Sequence, residues 1–174
     1  MTRVELPTVA DTYAFGRRLA RLLRAGDLVL LTGPLGAGKT ALTQGIGAGL
    51  GVLGDITSPT FVIARVHRPD PATGRGVALV HADAYRLGAA SDPRAEIDDL
   101  DLDASVEESV TVVEWGEGLV EQLVDAHLRI RLDRRDDDTR VVELEPVGGD
   151  WAARLAALIA VVPTAYSARK RSDR

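Results

Sequence analysis

The sequence has no cysteine, few aromatic residues and no long apolar run. The lack of cysteine excludes disulfide bonds and thiolate-ligated metal centres, and it is typical of proteins of a reducing compartment. No apolar stretch reaches the length of about 20 residues that a membrane-spanning helix needs. The N-terminal residues contain no apolar segment of signal-peptide length. We therefore expect a cytoplasmic protein with no membrane contact.

The chain also lacks an excess of positive charge. Its 174 residues carry 21 Lys and Arg against 26 Asp and Glu, a net charge of −5, so no overall field attracts it to nucleic acid or anionic lipid. The hydrophobic fraction of 45% and the charged fraction of 27% are typical of globular proteins. Without an internal repeat or a long linker, the sequence predicts one domain over residues 1–160 and a basic, frayed tail over 161–174.

Hydrophobic periodicity predicts a helix near the start of the chain. Apolar residues recur at helical spacing over residues 8–25. Thr8 and Asp11, three residues apart, have the spacing of a capping box at its first turn. Gly26 stands where a glycine commonly ends a helix.

A buried strand and a second helix are predicted next. The short apolar stretch 27–33 is bounded by glycines and is typical of a fully buried strand. A helix is expected over residues 40–50 although Gly45, Gly47 and Gly49 each weaken it by roughly 1 kcal/mol relative to alanine. Close packing of this helix on the sheet would explain the three glycines.

The rest of the chain alternates short apolar stretches with polar turns. The acidic stretch 92–108 is best interpreted as a solvated helix and loop, since it lacks the glycine and the ligand spacing of a calcium-binding loop. Further strands are predicted at 57–68, 76–82, 109–115, 127–132 and 141–146, and helices at 117–125 and 151–161.

Residues 33–40, GPLGAGKT, match the phosphate-binding pattern G-x-x-x-x-G-K-[ST]. The loop lies between a predicted strand and a predicted helix, which is the context that this motif requires. Its glycines permit backbone angles that direct N–H groups onto phosphate at a helix N-terminus. Lys39 is expected to reach the β- and γ-phosphates, and the Thr40 hydroxyl to bind Mg²⁺. The predicted nucleotide-binding residues of this segment are Gly33, Leu35, Gly36, Ala37, Gly38, Lys39, Thr40 and Ala41.

These elements predict an α/β fold, a P-loop NTPase-like three-layer sandwich. Its sheet should be mainly parallel, with helices on both faces. Antiparallel strands are expected to be added by a hairpin over 57–82 and by a strand pair over 127–146.

A phosphate-binding loop also needs an acid that holds Mg²⁺ or orders water. In open α/β sheets such residues lie just beyond the carboxyl ends of strands. Asp83 follows one predicted strand and Glu114 lies near the end of another. Either one can be the metal ligand, or the two can divide the work, one binding the metal and the other ordering the attacking water.

Thr60, the histidines and Trp115 are further candidates for a role at the site. Thr60 lies in SPTF, after the helix that follows the loop, where nucleotide hydrolases often have a segment that senses the γ-phosphate; a proline-initiated strand is an equal alternative. The histidines show no metal-ligand spacing, and surface or strand packing is expected for them, although His81 lies only two residues before Asp83. Trp115 is expected to pack in the core.

Four motifs occur in one order along the chain: GPLGAGKT, TSPTFVI, HADAYRL and VEWGE. In this order and at these separations they resemble the TsaE (YjeE) family, small bacterial ATPases required for threonylcarbamoyladenosine (t6A) modification of tRNA. The resemblance covers about residues 5–146. The sequence departs from the family pattern by EWG in place of an EWP-like element, Ala82 in place of an aromatic residue, and Pro34 in place of a common acid.

The resemblance implies roles for individual residues. Lys39 and the loop amides would bind the phosphates of ATP or ADP, and Thr40 and Glu114 would coordinate Mg²⁺. Asp83 is similar to an essential acid of the family. Thr12 matches a threonine near the base or ribose, and Arg140 is similar to an arginine of the last hairpin that approaches the nucleotide. Thr60 would lie in the switch-like segment.

The resemblance also implies a partner. In the family, TsaD paired with TsaB transfers the threonylcarbamoyl group, and TsaE binds that pair and hydrolyses ATP to permit repeated turnover. The sequence would then meet tRNA only indirectly, through the complex. Two alternatives stay open: a small-molecule kinase on the same scaffold, and a module that binds nucleotide without hydrolysing it.

Overall fold

The computed structural model describes residues 2–59, 64–84, 107–116, 118 and 124–161. Within these residues the chain forms one seven-stranded sheet and three helices. The strands are β1 (Thr2–Leu6), β2 (Leu28–Thr32), β3 (Ala64–His67), β4 (Ala78–Asp83), β5 (Ser109–Glu114), β6 (His127–Arg134) and β7 (Arg140–Val147); the helices are α1 (Val9–Leu19), α2 (Lys39–Leu50) and α3 (Trp151–Val161).

The sheet is mixed, with a parallel centre. Its strand order is β1-β7-β6-β2-β5-β4-β3. Strands β6, β2, β5 and β4 run parallel to one another, whereas β7 pairs antiparallel with β6 and β1, and β3 pairs antiparallel with β4. This confirms the expected parallel sheet with antiparallel strands added by two hairpins. The parallel strands place their carboxyl ends at one edge, which also carries the loop before α2.

Strand β1 was not predicted. It pairs with β7 in the register Val4↔Val142 and Leu6↔Arg140, and it buries Val4 and Leu6 on one face. The alternation of these two side chains is the pattern of a half-buried strand. Five residues are too short a segment for that pattern to stand out, and the pairing partner lies more than 130 residues away in the sequence.

Alternate residues of the central strand face opposite sides of the sheet. Val29 and Leu31 join a large core with all three described helices, while Leu28 and Leu30 join a smaller cluster with Val80, Ala82 and Val113. The described helices therefore contribute to one core only. The second helical layer of the predicted sandwich stays a prediction, because the stretches 92–108 and 117–125 lie mostly outside the described residues.

Helix α1 begins as predicted and ends earlier than predicted. The Thr8 hydroxyl accepts a hydrogen bond from the Asp11 N–H at 3.1 Å, and the Asp11 carboxylate accepts one from the Thr8 N–H at 3.0 Å, which completes the capping box. The helix ends at Leu19 and not at residue 25, because the next residues form tighter bonds such as Leu22 N–H to Leu19 O. Gly26, with φ of 86°, donates to Ser109 O and lines up the chain with β5.

The glycines of α2 allow α1 to approach closely. A Cβ on Gly45 would lie 2.1 Å from the carbonyl oxygen of Tyr13, and one on Gly49 would lie 2.5 Å from the Cβ of Ala20. Both neighbours belong to α1 or its C-terminal end, so the expectation that these glycines pack on the sheet was wrong. A Cβ on Gly47 would instead lie 2.1 Å from Cδ1 of Ile56 and 3.4 Å from Cδ2 of Leu79 on β4, so only Gly47 of the three packs against the sheet as expected. The close helix pair fixes the position of α2 and of the loop that precedes it.

Helix α3 confirms the predicted C-terminal amphipathic helix. Trp151 and Leu155 are buried in the large core, and Arg154 forms an ion pair with Asp27, just before β2. The predicted tail, 161–174, lies almost wholly outside the described residues. The predicted domain boundary at residue 160 therefore stays a prediction. In the described part of the chain, no helix combines the length and apolarity needed to cross a membrane.

Candidate functional site

The predicted phosphate-binding loop joins the end of β2 to the start of α2. Gly33 has φ of 127°, and a Cβ there would lie 2.0 Å from the carbonyl oxygen of Leu132 on β6. Gly38, with φ of 109°, is the N-cap of α2 and has no side chain that could bond to the first turn. The free N–H groups at this helix end, and the helix dipole, favour a bound anion.

The Lys39 ammonium is buried against the loop. Its Nζ donates to Gly33 O at 2.8 Å and to Pro34 O at 3.1 Å, and the residue is only 5% exposed. Burial lowers the pKa of this ammonium, and the carboxylates of Glu114 and Asp83 oppose that shift. The Lys39 ammonium therefore lies at the N-terminus of α2, within electrostatic reach of Glu114 and Asp83.

The two acids at the strand ends lie side by side. Asp83 is the last residue of β4 and Glu114 the last of β5, and their Cα atoms pair directly in the parallel register. Both are buried, with 6% and 3% of their surface exposed. Ala84 N–H donates to Glu114 O at 2.8 Å, which extends the pairing one residue beyond the strands.

These groups share one open cavity of about 530 Å³. That volume lies in the range of ordinary small-molecule sites. Thr40 lines the same cavity as the two acids and contributes a hydroxyl to it. The lining residues are Val9, Leu35, Gly36, Gly38, Lys39, Thr40, Ser58, Asp83, Glu114, Trp115 and Arg140.

Arg140, from β7, lies beside the start of α2. A Cβ on Gly38 would lie 3.7 Å from its Cγ and 3.9 Å from its Nε. The residue is 6% exposed, its Nη1 donates to Asp138 O at 2.5 Å, and its Nε finds no hydrogen-bond partner within the described residues. A buried guanidinium donor beside the phosphate-binding loop agrees with the prediction that Arg140 lies near the nucleotide.

Other predicted residues have different surroundings. Thr12 is fully buried, its hydroxyl donates to Thr8 O at 3.2 Å, and its methyl group faces Gly38; it is not part of the cavity lining. Leu35 is 94% exposed at the rim. Thr60 lies outside the described residues. Gly33, Ala37 and Ala41 belong to the loop and the first turn of α2 without lining the cavity.

Two residues have a closer relation to the site than the sequence indicated. Trp115 does not pack in the core: it has φ of 60°, it is 37% exposed, and its ring centroid lies 4.3 Å from the Lys39 Nζ. His81 is fully buried, and its Nε2 lies 2.9 Å from Glu114 Oε1. The signals were the position of Trp115 directly after Glu114 and the two-residue spacing of His81 from Asp83.

The chain is similar to several known proteins. The family model described as "Threonylcarbamoyl adenosine biosynthesis protein TsaE" matches residues 6–142. A Streptomyces coelicolor protein named "tRNA threonylcarbamoyladenosine biosynthesis protein TsaE" is 57% identical over 149 residues, which are 83% of this chain and 97% of that protein. A Bacillus subtilis protein of the same name is 34% identical over 142 residues, covering 81% of this chain and 83% of the relative.

A solved structure has the same architecture. The crystal structure of Bacillus subtilis YdiB superposes with a TM-score of 0.73 and 28% sequence identity, and the match covers 91% of this chain and 94% of that one. The family model, the curated relatives and the fold agree, and the chain belongs to the TsaE family of threonylcarbamoyl adenosine biosynthesis proteins.

Proposed function

We propose that this protein binds and hydrolyses ATP, with Mg²⁺, as a component of the t6A machinery of tRNA, and that it acts on the TsaB–TsaD pair. The observation that carries the proposal is the placement of the Lys39 ammonium and the two strand-end acids in one cavity at a helix N-terminus. The names of the relatives give the pathway; the residues of the cavity supply the nucleotide chemistry.

The loop and its surroundings support nucleotide binding on a P-loop NTPase-like fold. A parallel strand, a glycine-rich loop and a helix follow in the order that phosphate binding requires. The Lys39 ammonium now bonds two loop carbonyls, and phosphate oxygens offer it charged acceptors, which give stronger hydrogen bonds. Arg140 supplies a second buried cation beside Gly38.

The donor set suits Mg²⁺. This hard cation takes oxygen ligands, commonly from one or two carboxylates together with substrate phosphates and water. Thr40 and Glu114 line the same cavity and would hold it, with Asp83 in the adjacent register position. When bound, Mg²⁺ would neutralise charge that develops on the phosphate oxygens.

The remaining groups divide the hydrolytic work. Asp83, buried beside Glu114, would orient the attacking water and accept its proton. Lys39 would stabilise negative charge on the β- and γ-phosphates. Trp115, standing over the Lys39 ammonium, limits the access of water to that charge. As an assembly partner of TsaB–TsaD, the protein should have feeble ATPase activity alone and be stimulated by that pair.

The partner proposal rests on the family and on charge. The net charge of −5 is unsuitable for a protein that itself clamps tRNA, so contact with tRNA would come through TsaB–TsaD, in the cytoplasm. The test is release of inorganic phosphate from ATP and Mg²⁺, with and without the TsaB–TsaD pair. Stimulated release supports the proposal. ADP formed together with a phosphorylated metabolite would favour a kinase, and nucleotide binding without phosphate release would favour a binding module.

A further inference from the structure

His81 contacts Glu114 of the neighbouring strand β5. It is on β4, two residues before Asp83, and alternation along the strand puts both side chains on the same face as Leu79 of the large core. Its register partner on β5 is Val112, so Glu114 is the diagonal neighbour, two residues farther along. Diagonal neighbours in a sheet are within reach of long side chains.

The contact between the His81 and Glu114 side chains is short and buried. His81 Nε2 and Glu114 Oε1 are 2.9 Å apart, with 0% and 4% of the side chains exposed. A carboxylate can only accept, so the imidazole Nε2–H donates. The other ring nitrogen, Nδ1, is buried and has no hydrogen-bond partner within the described residues, so the contact with Glu114 is the hydrogen bond that orients the ring.

We propose that His81 is a positioning residue for the metal site: its Nε2–H holds Oε1 of Glu114, which directs the other carboxylate oxygen to the cation. This inference rests on the proposed Mg²⁺-nucleotide function and names a residue that supports the ligand without touching the metal. Ligating carboxylates are commonly held by such hydrogen bonds, and loss of an outer partner typically costs about 10- to 100-fold in metal affinity or activity.

An imidazole N–H is a suitable donor for this purpose. A lysine or arginine at position 81 would place a full positive charge against Glu114 and would compete with the cation for the carboxylate. An apolar residue would leave the buried carboxylate without its hydrogen bond and free to rotate. The imidazole fixes the orientation of the carboxylate and leaves its charge for the metal.

Three variants separate the donor from the bulk of the ring. His81→Gln keeps an amide N–H at about the reach of Nε2, whereas His81→Asn keeps an amide that reaches only as far as Nδ1. His81→Leu removes the donor altogether. His67→Asn is the matched control, because His67 is a buried histidine of the neighbouring strand β3 and does not line the cavity.

The measurement is Mn²⁺ binding by electron paramagnetic resonance, on the full chain in the presence of ADP, with Mn²⁺ in place of Mg²⁺. We expect His81→Asn and His81→Leu to weaken Mn²⁺ binding by about 10- to 100-fold, and His81→Gln and His67→Asn to stay near wild type. ADP affinity without metal should not change. In phosphate release, the affected variants should lose kcat with little change in KM for ATP.

Each other outcome has a definite meaning. Wild-type Mn²⁺ affinity in His81→Asn overturns the inference and leaves the proposed function intact. Equal losses in His81→Gln and His81→Asn, accompanied by equal drops in unfolding temperature, assign His81 a packing role and also overturn it. Absence of ADP-dependent Mn²⁺ binding by the wild-type protein overturns the proposed function together with the inference.

Discussion

The contact between α1 and α2 makes a quantitative prediction for Gly45→Ala. The new Cβ would lie 2.1 Å from the carbonyl oxygen of Tyr13, a rigid main-chain atom in the next helix. Relief of that overlap requires the helices to separate by roughly 1 Å. Overpacking of this kind costs typically about 1–3 kcal/mol, and the gain in helix propensity from glycine to alanine offsets about 1 kcal/mol.

Gly47→Ala is the matched control on the same helix. Its Cβ would meet the terminal Cδ1 of Ile56, also at 2.1 Å, but this atom belongs to a side chain that can change rotamer. We expect Gly45→Ala to destabilise the protein by about 1–2 kcal/mol, which is the upper half of the strain range less the propensity gain. Gly47→Ala should stay within about 1 kcal/mol of wild type, since the propensity gain opposes a smaller strain.

Urea unfolding followed by circular dichroism measures both values. For a chain of this size a change of 1 kcal/mol shifts the unfolding temperature by about 2–4 °C, so a thermal scan gives an independent check. Because α2 carries the phosphate-binding loop at its N-terminus, Gly45→Ala should also weaken nucleotide binding. A Gly45→Ala protein as stable as wild type, or less damaged than Gly47→Ala, would refute the argument that a backbone contact fixes α2.

Three further predictions concern the site, the C-terminal helix and pH. Lys39→Ala should weaken ATP binding in calorimetry by about 10- to 150-fold, the equivalent of a lost charged hydrogen bond of about 1.5–3 kcal/mol; unchanged affinity would contradict it. Trp151→Ala should cost about 3–5 kcal/mol of unfolding free energy, because Trp151 is 2% exposed; a small loss would show that α3 is dispensable. Burial lowers the pKa of His67, so its unfolded form takes up a proton first as pH falls below about 6.5. The contribution of the neutral His67 to the free energy of unfolding should therefore be fully present above that pH and be lost below it, by up to about 1.4 kcal/mol per pH unit. Urea titrations at pH 7.5 and 5.5 measure this decline, which His67→Gln should reduce.

Much of the fold and the site follows from local patterns. The loop at 33–40 is recognised from its glycine spacing, because its backbone adopts angles that favour glycine. The strands that precede Asp83 and follow Gly26 are continuous apolar runs, which is the pattern of strands buried on both faces. The rule that ligand-binding residues lie at the carboxyl ends of parallel strands pointed to both acids, whereas their direct pairing depends on the strand order, which one sequence does not specify.

The features that escaped prediction depend on contacts distant in sequence or on backbone geometry. Strand β1 is set by its pairing with β7, and the end of α1 is set by backbone bonds of three-residue spacing, such as Leu22 N–H to Leu19 O. Trp115 was assigned to the core from its apolar character, but a φ of 60° turns it to the cavity rim. The contact of His81 with Glu114 depends on strand register, which one sequence does not specify.

The most direct test of the account compares phosphate release by wild type and Glu114→Ala, with Mg²⁺, ATP and the TsaB–TsaD pair. Thermal unfolding and ADP affinity without metal serve as controls, since Glu114 also bonds to His81. We predict that Glu114→Ala loses Mg²⁺-dependent turnover far more than it loses nucleotide binding. Unchanged turnover in Glu114→Ala would contradict the metal assignment and leave Asp83 as the ligand.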